Sequence, residues 1–256
     1  MTEIRVLGCS GGIGGPLRTT SFLVDQHVLI DAGTGVADLS LAELALVDRV
    51  FLTHSHLDHI AMLPLMLDSV GAMRNQPLEV LATSETIAIL QQHIFNWQVW
   101  PDFSQIPDPQ HPFLRFTPIQ LGQTIALGRH ARLQVLPAEH TVPAVAYALR
   151  CSKGSWVFSG DTVGGEAFWR AVNALPDLRY LIMETAFCVR EAELARLSKH
   201  LSPDTLAEQL ACLQLPVELY ITHLKPGELE LTMQEIHALA ARWQPRMLQA
   251  GHVFSL

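Results

Sequence analysis

The chain reads as an α/β protein in which two β-sheets lie between outer layers of helix. Short apolar, β-branched or aromatic runs crowd the first part of the sequence, and later runs alternate with segments of helical period. At 256 residues and 49% hydrophobic content, the chain can bury a substantial core as one large domain. Sixteen glycines and fifteen prolines are spread fairly evenly. With no linker, repeat or low-complexity stretch to mark a boundary, residues 1–256 are read as one unit.

Strands are expected over residues 4–7, 21–24, 28–30, 50–53, 78–82, 133–136, 144–150, 156–159, 180–183 and 219–222, where apolar and β-branched residues run together. Helical period fits residues 63–70, 84–93, 165–174, 190–198, 203–213 and 232–243. Pro64 falls where a first helical turn tolerates it. Ser202-Pro203 reads as an N-cap followed by proline at the first helical position. Segment 93–116 lacks clear period and carries Phe95, Trp97, Trp100, Phe103, Phe113 and Phe116. It is expected to pack on the core or on a second copy of the chain, as a route to a homodimer. The other reading is a lid whose aromatics stack on a substrate base.

The densest chemical signal is His54-Ser55-His56-Leu57-Asp58-His59, which follows the apolar run Arg49-Val50-Phe51-Leu52-Thr53. A strand ending in this pattern fans several donors into one small volume. Imidazoles suit zinc and other borderline divalent ions, and a carboxylate can hold or bridge a second ion. Three further strand-like runs end in single donors: His140, Asp161 and His223. Any one of these alone would read as a turn or cap residue. Together they point to a metal site gathered at strand ends.

This ordered set resembles the metallo-β-lactamase fold superfamily, and the resemblance covers nearly the whole chain. Leu7-Gly8-Cys9-Ser10-Gly11-Gly12, the run Thr20–Val24 (residues 20–24) and Leu29-Ile30-Asp31-Ala32-Gly33-Thr34-Gly35 resemble its opening hairpin and glycine loops. Met183-Glu184-Thr185-Ala186-Phe187, His200 before a helix, and Thr222-His223-Leu224-Lys225-Pro226 resemble its phosphodiesterase branch, which includes RNase Z and the class II cyclic-nucleotide phosphodiesterases. The stretch 54–60, with Leu57 before Asp58, is closest to the cyclic-nucleotide group. A glycine usual shortly after that motif is replaced by Ala61-Met62, which leaves the subfamily open.

The resemblance implies an αββα four-layer sandwich with the site at one edge between the sheets. It implies two divalent ions: His54, His56 and His140 on one, Asp58, His59 and His223 on the other, with Asp161 bridging. Zinc is the first choice for so many imidazoles, with manganese and iron admitted. No cysteine stands at a ligand position, and histidine rather than glutamate at position 56 argues against the di-iron oxygen-reducing members. Asp58 is also a candidate to orient or deprotonate the attacking water. Glu184 and His200 form a candidate catalytic pair: a carboxylate behind an imidazole fixes its tautomer and raises its basicity. Gly11, Gly12, Gly14 and Gly15 do not match a phosphate-binding loop and read as a flexible loop near the site. Lys225 is expected either to touch phosphate or to be solvated.

Charge narrows the substrate. With 17 Lys and Arg against 25 Asp and Glu, the net charge is −8. Long nucleic acid is disfavoured by the lack of a basic cluster, and a small phosphodiester is favoured. Cys9, Cys151, Cys188 and Cys212 lack paired spacing and read as reduced thiols. No signal peptide and no apolar run of ~18–20 residues are evident, so no membrane partner and a cytoplasmic location are expected. The expected activity is hydrolysis of 3′,5′-cyclic nucleotides to nucleoside 5′-monophosphates by hydroxide generated at two metals. The alternatives are an RNase Z-like endonuclease acting on RNA 3′ ends and a non-catalytic metal-binding sensor.

Overall fold

The structure is a computed structural model and describes residues 1–256. In chain order the strands are β1 (Glu3–Gly8), β2 (Ser21–Val24), β3 (Val28–Ile30), β4 (Arg49–Phe51), β5 (Leu78–Ala82), β6 (Leu114–Pro118) and β7 (Thr124–Ala126). They continue with β8 (Arg132–Pro137), β9 (Val145–Cys151), β10 (Gly154–Phe158), β11 (Leu178–Glu184), β12 (Glu218–Thr222), β13 (Arg246–Met247) and β14 (Val253–Ser255). Two seven-stranded sheets result, ordered β14-β1-β2-β3-β4-β5-β6 and β13-β12-β11-β10-β9-β8-β7. Each sheet is antiparallel on one side and parallel on the other: β3 to β6 run parallel in the first, β10 to β13 in the second.

Side-chain alternation along the strands divides the apolar residues among three layers of contact. Phe22 and Val24 of β2, Trp156 and Phe158 of β10, and Tyr180 and Ile182 of β11 meet between the sheets. Their neighbours point the other way. Leu23 and Leu29 face the helices of the first half, while Val157, Leu181 and Met183 face those of the second half. Three apolar layers mean four structural layers, the αββα sandwich. Phe22 meets Trp156 edge-on at 5.2 Å, and Trp156 is fully buried. Truncating Trp156 to alanine would cost about 3–5 kcal/mol by loss of transfer energy and cavity formation.

The helices are α1 (Leu41–Leu46), α2 (Leu57–Ile60), α3 (Met62–Val70), α4 (Ser84–His93), α5 (Glu166–Asn173), α6 (Ala192–Ser198), α7 (Pro203–Leu210) and α8 (Leu229–Leu239). The start of α7 has the expected chemistry, with proline at its first position and Ser202 N donating to Thr205 Oγ1 at 2.9 Å. Expected segment 190–198 opens with a 3-10 turn over Val189–Glu191 before α6 begins. Segment 232–243 starts earlier, at Leu229, and ends in a 3-10 turn over Ala241–Trp243.

Segment 93–116 packs on the core. Phe95 and Phe103 are buried in the helix-side cluster of the first sheet, with Trp100, Phe113 and Phe116 against them. Its last residues are not irregular, as expected from sequence, but enter the edge strand β6. Trp97 and Val99 stay exposed. All four cysteines are free, and no helix is long and apolar enough to cross a membrane.

Candidate metal centre

Six strand ends supply the site. β3 delivers Asp31, β4 leads to the segment 54–59, β8 to His140, β10 to Asp161, and β12 to His223, while Glu184 is the last residue of β11. After β4 the chain stays buried through Leu52, Thr53 and His54. It then turns into α2, with His56 at the N-cap and Asp58 and His59 within the helix. The short helix is clamped from behind: Ala32 N donates to His59 O at 2.6 Å, and Met62 N donates to Ala32 O at 2.9 Å. Gly33 is required at this clamp, because a Cβ there would overlap the carbonyl oxygens of Asp58 and Thr20.

The seven expected ligands come together. Donor atoms of His54, His56, His140 and Asp161 lie within 4.8 Å of one another, as do those of Asp58, His59, Asp161 and His223. Asp161 belongs to both groups. Its Oδ2 is 3.3 Å from His59 Nε2 and 3.7 Å from His54 Nε2, and its Oδ1 is 3.4 Å from His223 Nδ1. Asp58 Oδ2 stands 3.7 Å from His223 Nε2 and 3.8 Å from His59 Nε2.

The donors are shaped for a cation. His54 Nε2, His59 Nε2 and both ring nitrogens of His223 are buried without a hydrogen-bond partner. Leaving each such group unpaired costs about 1–3 kcal/mol, a cost removed at one nitrogen of each ring when a divalent ion takes its lone pair. Burial pushes His140 down to about 4 and His223 down to about 3, with Asp161 opposing in both cases. Burial resists the charge on Asp161, but His223 and His59 hold its carboxyl well below the usual range. For His59 burial again resists charge, and Asp161 and Asp31 outweigh it. His54, His56, His140 and His223 are thus held neutral, the ligating form, around an ionised Asp161. His59 would give up its proton on binding a cation, so the donor set fits divalent metal.

Around this set, buried groups fix the rings. Asp31 Oδ2 lies 2.7 Å from His59 Nδ1, and Asp31 also accepts from Thr53 N at 2.7 Å and Thr53 Oγ1 at 2.8 Å. His54 Nδ1 is 3.0 Å from the same Thr53 hydroxyl. In the sequence Asp31 stands beside the glycine-loop residues with nothing nearby to assign it a role. Its only signal was a carboxylate directly after the apolar run of β3. His140 Nδ1 donates to Lys199 O at 2.9 Å, a carbonyl presented by a residue at φ 53°. His223 sits at φ 66°, its N–H donating to Cys9 O at 2.8 Å.

Glu184 and His200 form a pair, with His200 Nδ1 2.9 Å from Glu184 Oε1. Glu184 is fully buried and also accepts from Thr162 N at 3.0 Å and Leu201 N at 3.3 Å. The His200 ring stacks on His223 at 5.0 Å and meets His140 edge-on at 4.9 Å. Burial disfavours a charged His200, but the Glu184 carboxylate outweighs it and raises the pKa. Lys225 is half-exposed, and its ammonium donates to Gly11 O at 2.7 Å. That bond ties the glycine loop to the strand end carrying His223, where a Cβ on Gly11 would overlap the His223 carbonyl.

Residues 26–224 match the family described as beta-lactamase superfamily domain. A Yersinia pestis protein named "Probable 3′,5′-cyclic-nucleotide phosphodiesterase" is 24% identical, the match covering 88% of this chain and 78% of that protein. A ribonuclease Z of Clostridium beijerinckii is 28% identical over 57% of this chain, and the match spans 48% of that enzyme. The crystal structure of unliganded yeast PDE1 superposes with a TM-score of 0.81 at 20% identity, covering 100% of this chain and 99% of that one. With most of its length matched by the family and its fold reproduced, this chain belongs to the beta-lactamase superfamily.

Proposed function

We propose that this chain is a di-metal phosphodiesterase that opens 3′,5′-cyclic nucleotides to nucleoside 5′-monophosphates. The observation that carries the reading is the Glu184–His200 pair, which stands against His140 and His223 at the edge of the ligand set. His54, His56 and His140 would hold one ion, Asp58, His59 and His223 the other, and Asp161 would serve both. The imidazole-rich set suits zinc. A bound pair of divalent cations supplies a water-derived nucleophile near neutral pH and offsets charge building on the phosphoryl oxygens.

The chain's own groups handle the protons. Asp58 is the ligand-set carboxylate with solvent access, its side chain 28% exposed against 3% for Asp161. It accepts the proton of the attacking water. His200, with Nδ1–H donating to Glu184, uses Nε2 to give a proton to the departing 3′ oxygen. Glu184 holds the tautomer and stabilises the imidazolium form, the role of a buried carboxylate behind a histidine. The kinship with cyclic-nucleotide phosphodiesterases supports this substrate class.

The test is hydrolysis of 3′,5′-cyclic AMP and of bis(p-nitrophenyl) phosphate, with metal quantified on the same sample. Turnover of both at about two ions per chain is expected. If the chromogenic diester alone is hydrolysed, cleavage of a precursor tRNA at nanomolar enzyme would move the reading to RNase Z-like chemistry. That arm is kept open by the ribonuclease Z relatives. Metal-replete protein that binds cyclic nucleotide and turns over neither diester would be a sensor.

A further inference from the structure

We propose that the groove beside His140 is the subsite for the uncharged part of the substrate, that its occupant is a nucleoside, and that Glu85 and Gln120 determine its specificity; this rests on the phosphodiesterase reading. A cavity of about 880 Å³ opens where β5, β6 and β8 end, lined by residues 83–85, 119–121 and 138–145. His140 lies in its wall and in the first ligand group. A phosphate at the metal centre therefore has this groove as its neighbour.

Size, charge and polarity define the occupant. The volume far exceeds a phosphate and falls in the range of sites for drug-sized ligands, about 300–1,000 Å³. No lysine or arginine lines the groove. Of its two carboxylates, Glu139 is already paired with Lys199 Nζ at 3.0 Å, while Glu85 is exposed on the wall. Glu85 has no ion-pair partner, so a second phosphate would meet its carboxylate with no lysine or arginine in the wall to offset it. One phosphate with a neutral substituent therefore fits better than a polynucleotide. Thr83 Oγ1 is used in capping α4, accepting from Thr86 N at 3.2 Å. Glu85 and Gln120 remain exposed for a ligand, and Leu121, 63% exposed, offers apolar cover for a base. A carboxylate only accepts hydrogen bonds, so Glu85 reads N–H groups of the base or ribose hydroxyls.

The experiment is calorimetric titration of metal-loaded protein with adenosine and guanosine 5′-monophosphates and with methyl phosphate. Wild type is compared with the E85A/Q120A double variant. At least one nucleotide should bind wild type about tenfold or more tighter than methyl phosphate, and the double variant should lose about fivefold or more of that advantage. Metal content and methyl phosphate affinity should hold. The proposal is overturned if neither nucleotide outbinds methyl phosphate, if the variant keeps the advantage, or if it loses methyl phosphate equally. Failure of the phosphodiesterase reading would appear separately, as wild type turning over no diester while the binding difference remains measurable.

Discussion

Asp31 and His59, 28 positions apart in the chain, meet at 2.7 Å in a fully buried contact behind the metal-ligand set. The bond commits His59 Nδ1 to Asp31 and leaves Nε2 as the ligating atom. Asp31 adopts φ 58°, an unusual conformation for a non-glycine residue, and bonds to Thr53 hold it there.

Asp31→Asn should therefore weaken metal binding by about 10–100-fold, the range for loss of a carboxylate behind a ligating histidine. Competition with a chromogenic chelator measures this. Unchanged affinity would remove Asp31 from the centre.

Removing metal should destabilise the protein, because one ligating nitrogen on each of the buried His54, His59 and His223 rings then lacks a partner. Saturation at 100 times Kd contributes about 2.7 kcal/mol, or about 5–10 °C in Tm for a chain of this size. Scanning calorimetry with and without chelator should show that difference. Equal melting temperatures would mean that the set holds no ion.

Gly33→Ala should damage both fold and centre, since the new methyl would overlap backbone oxygens of Asp58 and Thr20. Overpacking of this kind costs about 1–3 kcal/mol. The variant should melt earlier and carry less metal at the Asp58 side. Wild-type stability and metal content would show that the clamp yields freely.

Burial pushes the Cys9 thiol up to about 12, and its Sγ lies 3.4 Å from Leu248 O. A raised thiol pKa keeps the unreactive neutral form. Exposed Cys212 should react first with a thiol reagent, and the Cys9 rate should climb about tenfold per pH unit from 7 to 10. Mass-resolved alkylation distinguishes the two. Equal rates at pH 8 would contradict the shielding of the half-buried Cys9 thiol.

The interior of the fold was readable because each central strand is a short apolar run, such as 78–82 or 219–222, and burial on both faces writes itself into composition. The edges were not. β13 is two exposed residues, and β14 is a strand because Glu3 pairs with Ser255, a relation across the whole chain. α1 went unseen although Ser40 and Glu43 bond to each other as a capping box, since six residues carry too little period to show. α2 was hidden because its turn is built from the ligand motif itself. In the centre, the dense 54–59 motif and the lone donors after strands all announced themselves. Asp31 did not, because its importance lies in a partner that only the sheet brings near.

The most direct measurement compares His200→Ala with wild type for metal content and for bis(p-nitrophenyl) phosphate turnover. The predicted result is full metal content with turnover lowered by about 10²–10⁴-fold, the contribution of a positioned proton donor. Near-normal turnover at full metal content would contradict it and remove the Glu184–His200 pair from the chemistry.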